Sequence, residues 1–169
     1  MKRFTVTARD CKPKKRCLLV SIRPRHALDI LTGIKTFEFR RVSPRLIAGD
    51  DVVIYSTAPI AAIVGRFQVT TVLSRSPAAL WRQVSARPGL TKAEFRAYFR
   101  GRPVAHAIGV GDVDILQTPL ALAAIRAELP GFAPPQSYWY LDPVRADDAI
   151  LFRRLGVVFE RSLSVKKAG

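Results

Sequence analysis

Residues 35–41, Lys-Thr-Phe-Glu-Phe-Arg-Arg, set one carboxylate, Glu38, among the cations Lys35, Arg40 and Arg41. A carboxylate in such company can accept hydrogen bonds from a base edge or an amide while its cationic neighbours anchor a phosphate. On an extended strand, the period of two puts Phe37 and Phe39 on one face and Thr36, Glu38 and Arg40 on the other. With the phenylalanines toward a core, the polar set forms the lip of a cleft or faces solvent. The plain alternative is an edge strand with cross-strand ion pairs, each worth under about 1 kcal/mol.

A second candidate surface is Pro-Pro-Gln-Ser-Tyr-Trp-Tyr-Leu at 134–141. Gln136 and Ser137 carry hydrogen-bonding side chains, and Tyr138, Trp139 and Tyr140 can stack bases. Alternate aromatics on a strand also serve to fill a core, which is the reading favoured for Trp139. Tyr98 to Arg102 sets arginines beside aromatics, a pattern compatible with phosphate or stacking contacts and equally at home on a solvated helix end. His26 and His106 are isolated from each other, and neither has the partner spacing of a metal site or a triad. His26, on the first helix, could face the mouth of a cleft, but a solvated or capping histidine is the favoured reading; His106 reads as a satisfied structural one. Cys11 and Cys17 match no common zinc spacing and are expected as free thiols. No cofactor or metal is implied.

The elements that must position these residues follow from periodicity and punctuation. Residues 17–22 are a short apolar strand. Residues 23–33 read as a helix with Pro24 in the first turn and Gly33 as its stop. The 35–41 strand follows, then a Gly49-Asp50 turn and the strand 52–56. A break at 57–59 leads into a strand over 60–73, with Gly65 as a bulge or close approach. Two helices come next, one capped by Ser76 and one opened by the capping box of Thr91 and Glu94. Residues 104–113 alternate as a strand. Residues 119–131 read as a helix bounded by Pro119 and Gly131. An aromatic strand, a helix over 144–156 and a closing strand over 157–165 complete the chain. The fold class is α+β, a small mixed β-barrel with surrounding short helices rather than a layered parallel sheet.

Length and charge bound the function. One domain fits 169 residues, with residues 1–16 as a basic flexible arm, 17–161 as the domain and 162–169 as a flexible tail. The net charge is +15. Without the two ends the body keeps 19 basic against 12 acidic residues, a balance of +7, which attracts polyanions. An arginine-rich composition without function is the competing explanation. No apolar run approaches the ~20 residues of a membrane span, and the basic start lacks the apolar core of a secretory signal. A cytoplasmic protein, monomeric by default, is expected.

The order of these motifs resembles the ASCH domain family of the PUA-like superfamily, in its longer bacterial members. The resemblance is carried by "SIRPRHALDILTGIKTFEFRR", "GDDVVIYSTAPIAAIVGRFQV", "YFRGRPVAHAIGVGDV" and "PPQSYWYL", and it spans about residues 18–141. It implies a PUA-like barrel with helices over its openings, and a cleft between barrel and first helix that takes nucleic acid or a nucleoside. Lys35, Glu38 and Arg40 fall on the family's signature strand, Arg23 and Pro24 on its helix-entry motif, and Ser56 at the end of the next strand. The family usually has Lys where Arg23 stands. Some members resemble N4-acylcytidine amidohydrolases, with Thr three residues after the Lys. Here that place is Glu38, and Thr36 comes one residue after Lys35. Other members have been proposed as ribonucleases. The resulting expectation is a nucleic-acid-binding module, RNA favoured over DNA, with Arg23, Lys35, Thr36, Glu38, Arg40, Ser56, Gln136, Ser137 and Tyr138 as its binding set. A hydrolase using Lys35 and Glu38 in the same cleft is the first alternative, and a protein-interaction module is the second.

Overall fold

The apolar run at 17–22 forms β1 (Cys17–Ile22), buried on both faces because helices cover both sides of the sheet there. Pro24 then opens α1 (Pro24–Leu31), and Gly33 at φ 75° lets the chain leave the helix in a left-handed turn. The chain continues through β2 (Phe37–Arg40), β3 (Asp51–Ser56), β4 (Ala62–Arg75), α2 (Pro77–Val84), α3 (Lys92–Tyr98), β5 (Ala105–Ala121), α4 (Leu122–Glu128), β6 (Tyr138–Leu141) and α5 (Ala146–Arg154). This computed structural model describes residues 15–156 apart from residue 87. The basic arm, the C-terminal tail and the expected closing strand over 157–165 lie outside the described residues, except for residues 15 and 16.

The six strands form one mixed sheet in the order β2-β5-β4-β3-β1-β6, with β1 and β3 parallel and every other pair antiparallel. The sheet curls into a half-barrel with helices packed against it. Its two faces divide the core. Leu18, Val20, Ile22, Val52, Ile54 and Phe67 face α1, meeting Ala27 and Ile30. Leu19, Val53, Tyr55 and Ile63 face α4 and α5, meeting Ile125, Leu151 and Phe152. A third cluster joins Phe39 of β2 to Leu80 and Val84 of α2 and to Phe95 and Phe99. Phe39 meets Phe95 edge to face at 5.2 Å between centroids, which seats α3 beside the strand that carries Glu38.

Two expectations about local structure change. Pro119 does not open a helix: β5 runs on to Ala121. The ladder shifts between Gly65↔Ile115 and Ile63↔Leu120, so Pro119 sits in an irregular stretch where its missing N–H interrupts no regular pairing. Ser76 stands at the N-cap of α2, but its side chain makes no capping bond. The capping box at α3 does form, with Glu94 N donating to Thr91 Oγ1 at 3.2 Å and Thr91 N donating to Glu94 Oε2 at 2.6 Å. Gly65 is a close approach as well as a register shift, since a Cβ there would lie 2.5 Å from the Asp114 carbonyl oxygen. Cys17 is a free, buried thiol, raised to about 12 by desolvation first and by Asp51 second.

Candidate functional site

The end of α1 delivers Lys35. After the Gly33 turn, Lys35 N donates to the Asp29 carbonyl at 2.8 Å, and the side chain turns inward beneath the loop between α2 and α3. Gly89 of that loop presses so closely that a Cβ on it would lie 2.5 Å from Lys35 Cβ. β2 pairs along β5 with Glu38 opposite Ile108 and Arg40 opposite His106. Glu38 and Arg40 therefore project together from the face opposite Phe39, as the period of two requires.

The three charged side chains form one buried cluster. Lys35 Nζ donates to Glu38 Oε2, and Arg40 Nη2 pairs with Glu38 Oε1 at 3.1 Å. Lys35 is 3% exposed, Glu38 5% and Arg40 8%, so the cluster is the floor of a cleft rather than its lip. Burial pushes the Glu38 carboxyl up, but Lys35 and then Arg40 outweigh it and hold the group below its ordinary value. Glu38 is thus an ionised hub that fixes two cations. Arg40 also reaches across the open side of the half-barrel. Its Nη2 donates to the Ser21 carbonyl at 3.1 Å, and its Nη1 lies 3.4 Å from the Ser137 carbonyl. Its Nε is buried with no hydrogen-bond partner.

Above this floor is a cleft of about 500 Å3, within the ~300–1,000 Å3 range of sites that take small ligands or nucleotides. The N-cap of α1 supplies Arg23 to its walls, α1 itself supplies His26, and α3 supplies Glu94, Ala97 and Tyr98. Arg23 is exposed at the mouth. Arg25 Nη1 pairs with Glu94 Oε1 at 2.9 Å, joining α1 to α3. The Thr91 backbone N–H, the Thr91 hydroxyl and Arg25 together hold Glu94 at about 2. Arg41 stacks 4.6 Å from the centroid of the Tyr98 ring and donates from Nε to the Tyr98 carbonyl at 2.7 Å.

His26 takes the less favoured of its two expected places. It is half-buried and lines the cleft, with its Nδ1 buried and without a partner. Burial first, and Lys35 second, lower its pKa below 6.5, so the imidazole is neutral at pH 7. His106 is the structural histidine expected, with Nδ1 2.8 Å from Ser74 Oγ.

Of the residues singled out from sequence, Arg23, Lys35, Glu38 and Arg40 meet in this cleft. Thr36 lies at the entrance to β2, half-buried, where its carbonyl accepts from Val110 N at 2.9 Å. Ser56 is buried at the end of β3 opposite Ala62, away from the cleft lining. Gln136 and Ser137 are exposed on the approach to β6, and Ser137 meets the site through Arg40 and through its carbonyl, which accepts from Ser21 N at 3.1 Å. Tyr138 is half-buried against the α1-side core, and its hydroxyl reaches the Ser43 carbonyl at 3.4 Å. Trp139 packs on the opposite face, edge to face with Phe132 at 5.7 Å. The α3 wall was not anticipated. Its trace in the sequence is the set of arginines beside aromatics at 98–102, next to the helix that carries Tyr98. Among the described residues no group of acidic, histidine and cysteine side chains could hold a metal ion, and no helix is long and apolar enough to cross a membrane.

Comparison with known proteins places this geometry in a family. The ASCH domain model matches residues 20–113. The ASCH domain-containing ribonuclease of Zymomonas mobilis subsp. mobilis is 28% identical over 129 residues, which is 76% of this chain and 86% of that protein. The crystal structure of ASCH from Zymomonas mobilis superposes with a TM-score of 0.74 at 27% identity, covering 82% of this chain and 94% of the other. Two mutant forms of that protein superpose equally well, each at 26% identity, covering 83% and 85% of this chain and 99% and 98% of theirs.

Proposed function

The chain belongs to the ASCH domain family, and we propose that it acts on RNA, seating one nucleotide of a single strand in the cleft above Lys35, Glu38 and Arg40. The observation that carries this reading is the buried charge cluster at the cleft floor. Two cations held by one carboxylate leave a local excess of positive charge in a partly desolvated site. There a phosphate or a base carbonyl gains more than it would on an open surface. An ammonium has three N–H donors, and Glu38 engages one of them. Arg40 Nε and His26 Nδ1 lack partners, and a buried polar atom without one costs about 1–3 kcal/mol. Arg23 at the mouth supplies a phosphate contact, and Tyr98 supplies an aromatic wall.

Fluorescence anisotropy with a labelled single-stranded tetranucleotide tests the reading. Binding is expected to be salt-dependent and stronger for RNA than DNA. Arg23→Ala, at the exposed mouth, is expected to flatten the slope of log K against log salt by about 0.7. Absence of binding, or an unchanged slope in Arg23→Ala, overturns the cleft as the RNA site.

A second reading, cleavage of the bound strand, is favoured by two observations: the relative named a ribonuclease and the neutral imidazole of His26 beside the cluster. In it the RNA 2′-oxygen attacks the adjacent phosphorus, and His26 takes the 2′-proton. The bond to the 5′-oxygen breaks, and that oxygen leaves protonated from solvent. Lys35 and Arg40 bear the charge on the non-bridging oxygens. The products are a 2′,3′-cyclic phosphate and a 5′-hydroxyl. Gel analysis of end-labelled RNA should show such ends with wild type and none with His26→Gln, which still binds. DNA, lacking the 2′-hydroxyl, should stay intact.

A further inference from the structure

On the flank of α3 away from the cleft lies a second cavity, of about 380 Å3, between α2 and α3. Its apolar wall is made of Pro77, Ala78, Trp81 and Phe95, and three cations ring it: Arg82, Lys92 and Arg96. All three are exposed, and none is ion-paired among the described residues. Trp81 is half-buried, with its ring 5.0 Å from that of Phe95 at a 54° tilt. It is fixed from beneath, while its remaining surface lines the cavity.

An aromatic platform inside a ring of unpaired cations is the arrangement that takes a base by stacking and its flanking phosphates by charge. A hydrophobic peptide would gain nothing from three unneutralised cations at the rim. An acidic peptide would have no use for the indole. The position agrees with a strand as the occupant. Phe95 and Arg96 line this cavity while Glu94, Ala97 and Tyr98 line the cleft, so the two sites are opposite flanks of one helix. A helix with its side chains is about 10–12 Å across, a distance that a few nucleotides span.

We infer that the α2–α3 cavity is a second nucleotide seat, taking a base of the same RNA strand on Trp81 and its phosphates on Arg82, Lys92 and Arg96. This rests on the proposal that the cleft takes RNA, and it adds a direction: the strand leaves the cleft over α3. Affinity must then rise with length once the strand can reach Trp81.

The test compares a 4-nucleotide and a 12-nucleotide single-stranded RNA on the full chain by anisotropy. Wild type should bind the longer strand more tightly. Trp81→Ala should lose about 10-fold on the 12-mer while leaving the 4-mer unchanged. The triple variant Arg82→Gln, Lys92→Gln, Arg96→Gln changes exposed side chains only, so it retains the fold. It should flatten the salt slope for the 12-mer by about 2, again sparing the 4-mer. In a Trp139→Phe background, the remaining Trp81 emission should be quenched by the 12-mer and not by the 4-mer, a readout free of any effect of Trp81→Ala on folding. Equal affinity for both lengths, or a length gain that survives both the triple variant and Trp81→Ala, overturns the second seat and leaves the cleft standing. A gain lost only in the triple variant, with no quenching, overturns the stacking role of Trp81. No binding of either strand overturns the cleft reading, and the second seat falls with it.

Discussion

Arg40 on β2 donates from Nη2 to the carbonyl of Ser21 on β1 at 3.1 Å, although three strands separate β2 from β1 within the sheet. The sheet is open, and this side chain ties its far edge back toward the other end. Two tyrosines reinforce the seam: Arg45 N donates to Tyr140 Oη at 2.6 Å, and Tyr138 Oη reaches the Ser43 carbonyl at 3.4 Å. The guanidinium holds both the site and the barrel closure, with one amino group serving Glu38 and Ser21 together.

Arg40→Lys is therefore expected to separate these duties. A single ammonium keeps a charge near Glu38 but lacks the planar fork that spans both partners. The expected loss is about 1.5–3 kcal/mol by urea denaturation, the worth of a hydrogen bond to a charged group. Tyr140→Phe, which removes a neutral seam bond, should lose about 1 kcal/mol. Equal stability of Arg40→Lys and wild type would mean that the seam contributes nothing.

Glu38 gives the fold an acid limb. Desolvation raises its pKa, but Lys35 and Arg40 lower it by more, so its folded value lies below the ordinary 4.5. As pH falls through 4.5 the unfolded chain takes up the proton first. The stability Glu38 supplies is therefore complete above 4.5 and is lost as pH drops through the folded value. Glu38→Gln leaves Lys35 and Arg40 buried without their counter-charge and should cost about 3–5 kcal/mol at pH 7. Urea titrations from pH 7 down to pH 3 should show the gap between wild type and Glu38→Gln narrowing. A gap that stays constant would show that the carboxyl is not held down by its neighbours.

The floor of the cleft was legible from sequence because it is local: spacing on one strand fixes which side chains share a face, and Gly33 fixes where Lys35 enters. The α3 wall was not, because Tyr98 comes to Arg41 through packing of Phe95 against Phe39, a contact between distant segments that periodicity does not encode. Burial was misjudged for the same reason. Charges at 35, 38 and 40 read as a lip until α3 and the Gly89 loop are laid over them. Within the aromatic run at 138–140, the core-filling expectation holds for Trp139, while Tyr138, expected in the binding set, packs against a core as well. The period of two divides the run between the two cores, with Tyr138 and Tyr140 on one face and Trp139 on the other. For His26 the sequence leaves cleft and solvent both open, since nothing local decides which way a helical histidine faces.

His26 should report on the site directly. Burial lowers its pKa first, then Lys35 and Arg25, against the raising effects of Glu38 and Asp29, for a net value below 6.5. As pH falls below 6.5 the unfolded chain protonates before the folded one, so stability declines in that window. His106 is lowered by its own burial and adds to the decline, so His26→Gln should remove only part of it. NMR titration of the imidazole protons should place the His26 midpoint below 6.5, and Lys35→Met should move it upward. A midpoint at or above 6.5 would remove the neutral base from the cleavage reading.

Gly89 is expected to control Lys35 from outside the cluster. Its φ of 66° is strained for any L-residue, and a Cβ there would lie 2.5, 2.6 and 2.9 Å from Cβ, Cγ and Cδ of Lys35. Gly33 has a similar φ of 75° but nothing within 4 Å of the same position. Gly33→Ala should therefore cost only the left-handed backbone penalty, about 1–2 kcal/mol. Gly89→Ala should cost about 1–3 kcal/mol more, because the lysine stem or the loop must move. Displacing the stem withdraws Lys35 from Glu38, so Gly89→Ala should also weaken tetranucleotide binding and shift the His26 midpoint, while Gly33→Ala changes neither. Urea denaturation, anisotropy and the imidazole titration on the two variants read all three effects. Matching losses in stability with an unmoved His26 midpoint in both would show that the α2–α3 loop does not hold Lys35 in place.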